Sequence, residues 1–112
     1  MVTISDDDMR HMLGTAREYC VVILRHGPKY HEPGVEKIVW EHARRNFAMR
    51  AGGELAIVCA IRDDSEVSGI GIFRGSLDEV RQLMDDDPGV KAGTFMYEIH
   101  IGRSFPGDRL PA

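Results

Sequence analysis

Five histidines and a run of three aspartates supply the side chains of this chain that could move protons or hold a small ligand. His42 stands four residues before Asn46 in a stretch with helical periodicity, so the two side chains share one helix face. Both fall within an apolar arc, where a histidine is most often a core residue with satisfied polar atoms. A polar pair at this position also fits the wall of a cleft, with Asn46 as a candidate substrate-binding residue.

The three aspartates, Asp85, Asp86 and Asp87, precede Pro88 at the end of a predicted helix. Proline disfavours the helical conformation of the residue before it, so the pattern predicts that the helix ends at Asp87. The carboxylates then lie at a helix C-terminus, where the helix dipole favours cations. One interpretation is that all three are solvated turn residues. The other is that at least one of them belongs to a functional site.

A second polar group occupies the glycine- and proline-rich loop at residues 26–34, which contains His26, His31 and Glu32. Glu98 and His100 form a further pair on one face of a predicted strand. Sets of this kind can bind zinc, but neither spacing matches an established ligand motif. We therefore predict no metal and no other cofactor, and regard His26 and His31 as candidate substrate-binding residues.

The composition is that of an ordinary globular protein, with 112 residues, 43% of them hydrophobic and 29% charged, and this length predicts one domain. The net charge of −4 argues against nucleic acid as a partner. No apolar run is long enough to span a bilayer and no secretion signal is present, so we expect no membrane association and a cytoplasmic location. Cys20 and Cys59 lie in apolar runs and are predicted to be reduced core residues.

Apolar periodicity predicts a core over about 17–103, preceded by a helix within residues 1–16 that Ser5 caps, and followed by a tail over 104–112. The core elements alternate as strand, helix, strand, strand, helix, strand, at residues 17–25, 35–51, 54–62, 67–74, 76–87 and 94–102. This order is typical of the ferredoxin-like βαββαβ sandwich, an α+β fold in which two helices cover one face of a four-stranded antiparallel sheet.

The first two predicted strands are apolar on both faces, although the helices of this fold cover only one face of the sheet. An uncovered apolar sheet is a surface that a soluble monomer avoids. We therefore predict a homodimer, or a higher homo-oligomer, that buries sheet against sheet. The N-terminal helix is the alternative cover, but its apolar stripe of Met9, Met12 and Leu13 is narrow.

Three motifs then follow one another: H-x9-G-G-x-L at residues 42–55, a serine-started helix at 75–79, and Asp87-Pro88 followed by Ala92-Gly93. In these motifs the chain resembles the YCII-related (YciI-like) family of the dimeric α+β barrel superfamily, over roughly Tyr19–Gly102. The resemblance implies a barrel-like dimer with an active-site pair formed by His42 and Asp87. One branch of the family resembles a dehydrochlorinase of chlorinated hydroxyquinols, and most other members have no assigned substrate. Gly89 stands where a bulky apolar residue commonly follows Asp-Pro.

The predicted topology places Asp87 at the same end of the sheet as the loop at residues 26–34. His42 lies about 12 Å along its helix from the first turn at 1.5 Å per residue. The two side chains can therefore meet only if this helix crosses the sheet at a slant or begins beyond its end.

A carboxylate that holds one imidazole nitrogen fixes the tautomer and stabilises the imidazolium formed when the other nitrogen takes a proton. No serine or cysteine nucleophile occurs in a recognisable motif. We therefore predict cofactor-independent acid–base chemistry on a small molecule (isomerisation, elimination or hydrolysis), with His42 as the base and Asp87 as its orienter. The alternative is a non-catalytic small-molecule-binding or regulatory module that uses the same cleft.

Overall fold

The computed structural model describes residues 1–112 and contains four helices and four strands. In chain order these are α1 (Asp6–Gly14), β1 (Arg17–His26), α2 (Val35–Gly52), β2 (Leu55–Ala60), β3 (Val67–Phe73), α3 (Leu77–Asp85), α4 (Pro88–Lys91) and β4 (Phe95–Ser104). The predicted order of elements is confirmed, with α4 as an additional short helix. No helix has the length and apolar character needed to cross a membrane.

The strands form one antiparallel sheet in the order β2-β3-β1-β4. The central strand β1 pairs with β4 along its whole length, from Arg17 opposite Ser104 to His26 opposite Phe95. Helix α2 packs against β2, while α3 and α4 pack against β4. The predicted ferredoxin-like α+β fold is therefore confirmed.

The core lies between the helices and the inner face of the sheet. Alternate residues of β1 (Cys20, Val22 and Leu24) are buried there because successive side chains of a strand point to opposite faces. Helix α3 begins with the capping box formed by Ser76 and Glu79. The buried apolar side chains are Cys20, Val22, Leu24, Met49, Leu55, Phe73, Val80, Met84 and Phe95.

The prediction of one helix that ends at Asp87 is wrong at its C-terminal end. Helix α3 ends at Asp85, and Asp87 is the N-cap of the separate helix α4. Pro88 takes the first position of α4, where the missing backbone N–H costs nothing and the fixed φ angle suits a helix. Asp87 therefore lies at a helix N-terminus, where a carboxylate is favourable.

The outer face of the sheet is uncovered in a single chain. It carries Val21, Ile23 and Ile72, and also Ile70, of which 37% is exposed. Cys59 lies on this face and is exposed, so its predicted place in the core is wrong. Helix α1 does not provide a cover, because none of its residues is buried.

A hydrogen bond between β4 and α3 ties the two elements together on the inner side of the sheet. The hydroxyl of Tyr97 donates to Oδ1 of Asp85 over 2.6 Å. Two effects raise the pKa of Tyr97 from 10.0 to about 12. Partial burial of the ring is the larger, and the hydrogen bond to Asp85 is the next. The carboxylate of Asp85 therefore has a structural partner.

This pKa predicts a specific loss of stability in alkali. Because the pKa of Tyr97 is higher in the folded chain than in the unfolded one, its contribution is complete below pH 10 and disappears as the pH rises to about 12. Replacing Tyr97 by Phe is expected to cost about 1 kcal/mol at pH 7. Urea unfolding of both proteins across the alkaline range measures the difference, which must shrink with rising pH. A constant difference would contradict the assignment.

Candidate active site

His42 and Asp87 form a hydrogen-bonded pair between α2 and the start of α4. Nδ1 of His42 lies 2.8 Å from Oδ1 of Asp87. Only 8% of His42 and 1% of Asp87 is exposed. The hydrogen bond is thus shielded from water on the side of the carboxylate, where its strength is least reduced by solvent.

Asp87 is held in one orientation by the backbone of its own cap. Its Oδ2 accepts hydrogen bonds from the N–H groups of Gly89, at 2.9 Å, and Val90, at 3.2 Å. The guanidinium of Arg45 adds a positive charge 3.8 Å from Oδ1. The carboxylate therefore has donors or charge on both oxygens, as a buried anion requires, and Oδ1 remains directed at His42.

This arrangement fixes the proton on the neutral imidazole ring. The carboxylate of Asp87 only accepts hydrogen bonds, so Nδ1 of His42 carries the hydrogen. Nε2 is then unprotonated, and the amide nitrogen of Asn46, 3.2 Å away, donates a hydrogen bond to its lone pair. The predicted site residues His42, Asp87 and Asn46 thus lie in one chain of hydrogen bonds.

Phe95 forms the apolar wall beside the histidine. Its ring centroid is 4.7 Å from that of His42. Phe95 is the first residue of β4 and pairs with His26, the last residue of β1. The ring of His42 therefore lies at this end of the sheet, within hydrogen-bond distance of Asp87 at the start of α4.

Gly89 makes room for this wall. A Cβ atom at position 89 would clash with the ring of Phe95, 2.8 Å from its Cε2 atom, and would lie 3.0 Å from Oδ2 of Asp87. The glycine that follows Asp87-Pro88 is therefore required by the packing of Phe95. It lets the phenyl ring approach both the cap of α4 and the imidazole.

His42 belongs to the lining of a cleft of about 750 Å³ between α2 and the inner face of the sheet. Gly69 and Gly71 of β3 contribute to the lining, and a Cβ atom at Gly71 would lie 2.9 Å from the ring of Phe73, so the glycine allows this close packing. The cleft is mainly apolar, with polar groups concentrated near the His42 end and near Arg50 and the turn after β2. A pocket of this size and character suits a small organic molecule.

The loop histidines occupy different positions relative to the cleft. His26 lines it together with Tyr30, and their rings stack with centroids 3.6 Å apart. Neither side chain has a hydrogen-bond partner within the protein, so their polar atoms are available to a ligand. His31 contacts these two rings edge-on but is exposed and lies outside the lining.

No group of three or more histidine, cysteine, aspartate or glutamate side chains is arranged to hold a metal ion. Glu98 and His100 lie on the outer face of the sheet, where they bind each other at 2.8 Å. Two hydrogen bonds lower the pKa of Glu98 below its ordinary value, and the bond from His100 contributes more than the bond from Arg25. This second histidine–carboxylate pair is therefore separate from the cleft.

Two contributors to the site are not identified by the sequence patterns. Arg45 falls on the polar side of a helical projection of α2, yet its guanidinium lies 3.8 Å from Oδ1 of Asp87. Its position next to Asn46 and three residues after His42 was the available signal. The cap at Asp87 was also missed, although a capping residue followed by proline is a recognised helix start.

No protein-family profile and no curated protein matches this chain. Among solved structures, it is similar to the 5-chloro-2-hydroxyhydroquinone dehydrochlorinase (TftG) of Burkholderia phenoliruptrix AC1100 in complex with 2,5-dihydroxybenzoquinone. The identity is 21%, the match covers 79% of this chain and 95% of that chain, and the TM-score is 0.47. These values are too low to assign the family, activity or ligand of that protein to this chain.

The hydrogen-bond pattern predicts which ring nitrogen of His42 is protonated, and how the Asp87→Asn substitution changes it. Asparagine also caps helices, so its carbonyl takes the place of Oδ2 and its amide group faces Nδ1 of His42. We expect the Nδ1–H tautomer in the native protein and the Nε2–H tautomer in the Asp87→Asn variant. Imidazole ¹⁵N chemical shifts at alkaline pH distinguish the two, with the His42→Gln spectrum for assignment. The same tautomer in both proteins would contradict the assigned geometry.

Proposed function

We propose that this chain is a cofactor-independent enzyme of the YCII type that performs general acid–base chemistry on a small molecule. His42 is the base and Asp87 is its orienter. The observation that carries the proposal is the buried hydrogen bond of 2.8 Å between Nδ1 of His42 and Oδ1 of Asp87, at a histidine that lines the cleft. The family resemblance of the three motifs supports the same pair.

The chemistry begins when a substrate takes the place of the Asn46 amide at Nε2 of His42. The lone pair of Nε2 removes a proton from a carbon or oxygen atom of the substrate. Asp87 stabilises the imidazolium through the Nδ1–H bond that is already present, so this step requires no reorientation of the pair. Return of the proton to another atom gives isomerisation, and its transfer to a leaving group gives elimination. A base of this kind contributes roughly 10²–10⁴-fold to a rate.

The lining of the cleft indicates the kind of substrate. An apolar body fits against Phe95 and the glycines of β3, while a polar or acidic group meets His42, Asn46 and the free polar atoms of Tyr30. The volume of about 750 Å³ admits a molecule the size of a substituted aromatic ring or a short acyl chain. The polar or acidic end of such a molecule would lie beside His42, where a proton can be transferred.

The test is turnover of ligands that are first found by binding. A panel of small acids, phenols and quinols, screened by thermal shift, identifies stabilising ligands, and each is then assayed for conversion. His42→Gln and Asp87→Asn are expected to lower kcat at least roughly 10²-fold while circular dichroism and the unfolding midpoint show a folded chain. His11→Gln, at an exposed position of α1, is the matched control and must retain full activity.

The same experiment separates catalysis from the alternative of a binding or regulatory module. The hydrogen bond from Asn46 to Nε2 gives that alternative a physical basis, because the lone pair of the base is occupied in the free protein. A ligand that stabilises the protein and is recovered unchanged favours the binding module. Equal activity of the native protein and the His42→Gln variant would overturn the assignment of the base.

We also propose that two copies pair through the outer faces of their sheets, since these faces leave Val21, Ile23, Ile70 and Ile72 uncovered. Arg25 and Glu98, which bind each other at 2.7 Å on the same face, offer charges of both signs to a second copy. Such a balanced surface can match itself across a two-fold axis.

The Ile70→Asp substitution tests this pairing, because it places an unpaired carboxylate in the centre of the proposed interface. We expect the dissociation constant of the dimer to rise at least roughly tenfold, measured by light scattering during dilution on a sizing column. Trp40→Asp is the control, since Trp40 is 66% exposed on α2, away from the outer face. Equal effects of both substitutions would argue against the sheet interface.

A further inference from the structure

Helix α1 is a folded element without a packing partner in its own chain. Its three apolar side chains are exposed, Met9 by 44%, Met12 by 40% and Leu13 by 51%. A helix of nine residues is too short to be stable in water by propensity alone. Its caps at Ser5 and Thr15 help, but most helix stability comes from burial of an apolar face. Helix α1 therefore requires a surface to cover.

A groove of about 470 Å³ with matching properties lies at the corner of the sheet, beneath the C-terminal tail. Its apolar lining includes Tyr19 and Ile57 of the outer sheet face and Phe105 and Leu110 of the tail. We call this surface the tail groove. It is wide enough for a row of apolar side chains and is not filled by any other part of the chain.

The tail groove is also positively charged. Arg50, Arg74 and Arg109 belong to its lining, with Asp108 as the only acidic member. None of the three arginines forms an ion pair with the chain's own carboxylates, in contrast to Arg25 and Arg44. Three unpaired guanidinium groups beside an apolar groove indicate an occupant that is both apolar and acidic.

Helix α1 has this combination. At about 100° per residue, Asp6 and Asp8 lie on either side of the stripe formed by Met9, Met12 and Leu13. We propose that the α1 helix of one copy docks in the tail groove of a second copy, with its methionines and Leu13 against the apolar lining and its aspartates beside the arginines. The inference goes beyond the proposed chemistry and does not depend on it.

The junction between α1 and β1 explains why the occupant is the helix of another copy. The hydroxyl of Thr15 donates to the carbonyl of Met12 at 2.7 Å, and the guanidinium of Arg17 donates to the carbonyl of Ala16 at 2.8 Å. These local bonds order the two-residue linker, and no residue of α1 is buried against its own chain. The molecule is accordingly long, 55 Å against 30 and 24 Å in its other dimensions.

Disulfide trapping tests the docking and identifies the occupant. In a Cys59→Ser background, Met12→Cys is combined with Ala56→Cys, since Ala56 is an exposed member of the groove. Mild oxidation is expected to give a covalent dimer on non-reducing gels. In the matched control, His11→Cys on the opposite side of α1 replaces Met12→Cys and is again combined with Ala56→Cys. This variant should form much less covalent dimer. A disulfide within one chain, or no cross-link above the control, overturns the proposal.

Charge reversal provides a second measurement that does not depend on cysteines. Asp6→Lys with Asp8→Lys, or Arg74→Glu with Arg109→Glu, is expected to weaken self-association roughly tenfold, as the loss of two exposed ion pairs and the new repulsion predict. Combining all four substitutions should restore most of the affinity, measured by light scattering. Additive weakening in the combined variant, or a purely monomeric native protein, would overturn the docking. If the dissociation constant of the dimer is unchanged by all these substitutions, the sheet faces pair without α1 and the docking is overturned.

Discussion

The buried carboxylate of Asp87 is the constraint on which the site depends. Removing a charge from water costs several kcal/mol unless donors and opposite charges replace the lost hydration. Here the replacements come from separate parts of the chain: the backbone N–H groups of Gly89 and Val90 in α4, the imidazole of His42 and the guanidinium of Arg45 in α2. Satisfying one anion therefore sets the position of α4 against α2, and the orientation of the imidazole follows from that packing.

The same constraint explains why one side of the pair is rigid. Both oxygens of Asp87 are held by backbone N–H groups of α4 or by side chains of α2, so the carboxylate has a fixed orientation. The other nitrogen of His42 has one partner, the side-chain amide of Asn46 at 3.2 Å. The amide of Asn46 is itself held by fewer hydrogen bonds than the carboxylate of Asp87.

Most of the fold could be predicted from the sequence, because apolar periodicity reports which side of each element is buried. The strand boundaries and the capping box at Ser76 are local signals of this kind. The path of the chain at Asp87 was not predicted, since Pro88 both ends one helix and starts the next, and only the tertiary contact with α2 decides between these roles. A helical projection also treats Arg45 as solvent-facing, whereas a long side chain can reach around its helix to a buried charge. The pairing of His42 with Asp87 came from a resemblance and not from periodicity.

Gly89 and Phe95 lie in different elements, α4 and β4, but are in contact, and this contact depends on the absence of a side chain at Gly89. Since any Cβ atom there would meet the ring of Phe95, the two positions cannot vary independently as sequences diverge. With a bulky residue at position 89, the chain would need a smaller one at position 95, the first residue of β4. The apolar wall beside the His42–Asp87 pair could then be built in two ways, by a ring at position 95 of the sheet or by a side chain at position 89 of α4. A joint change at residues 89 and 95 would therefore reshape this end of the cleft while the hydrogen bond between His42 and Asp87 keeps both of its partners.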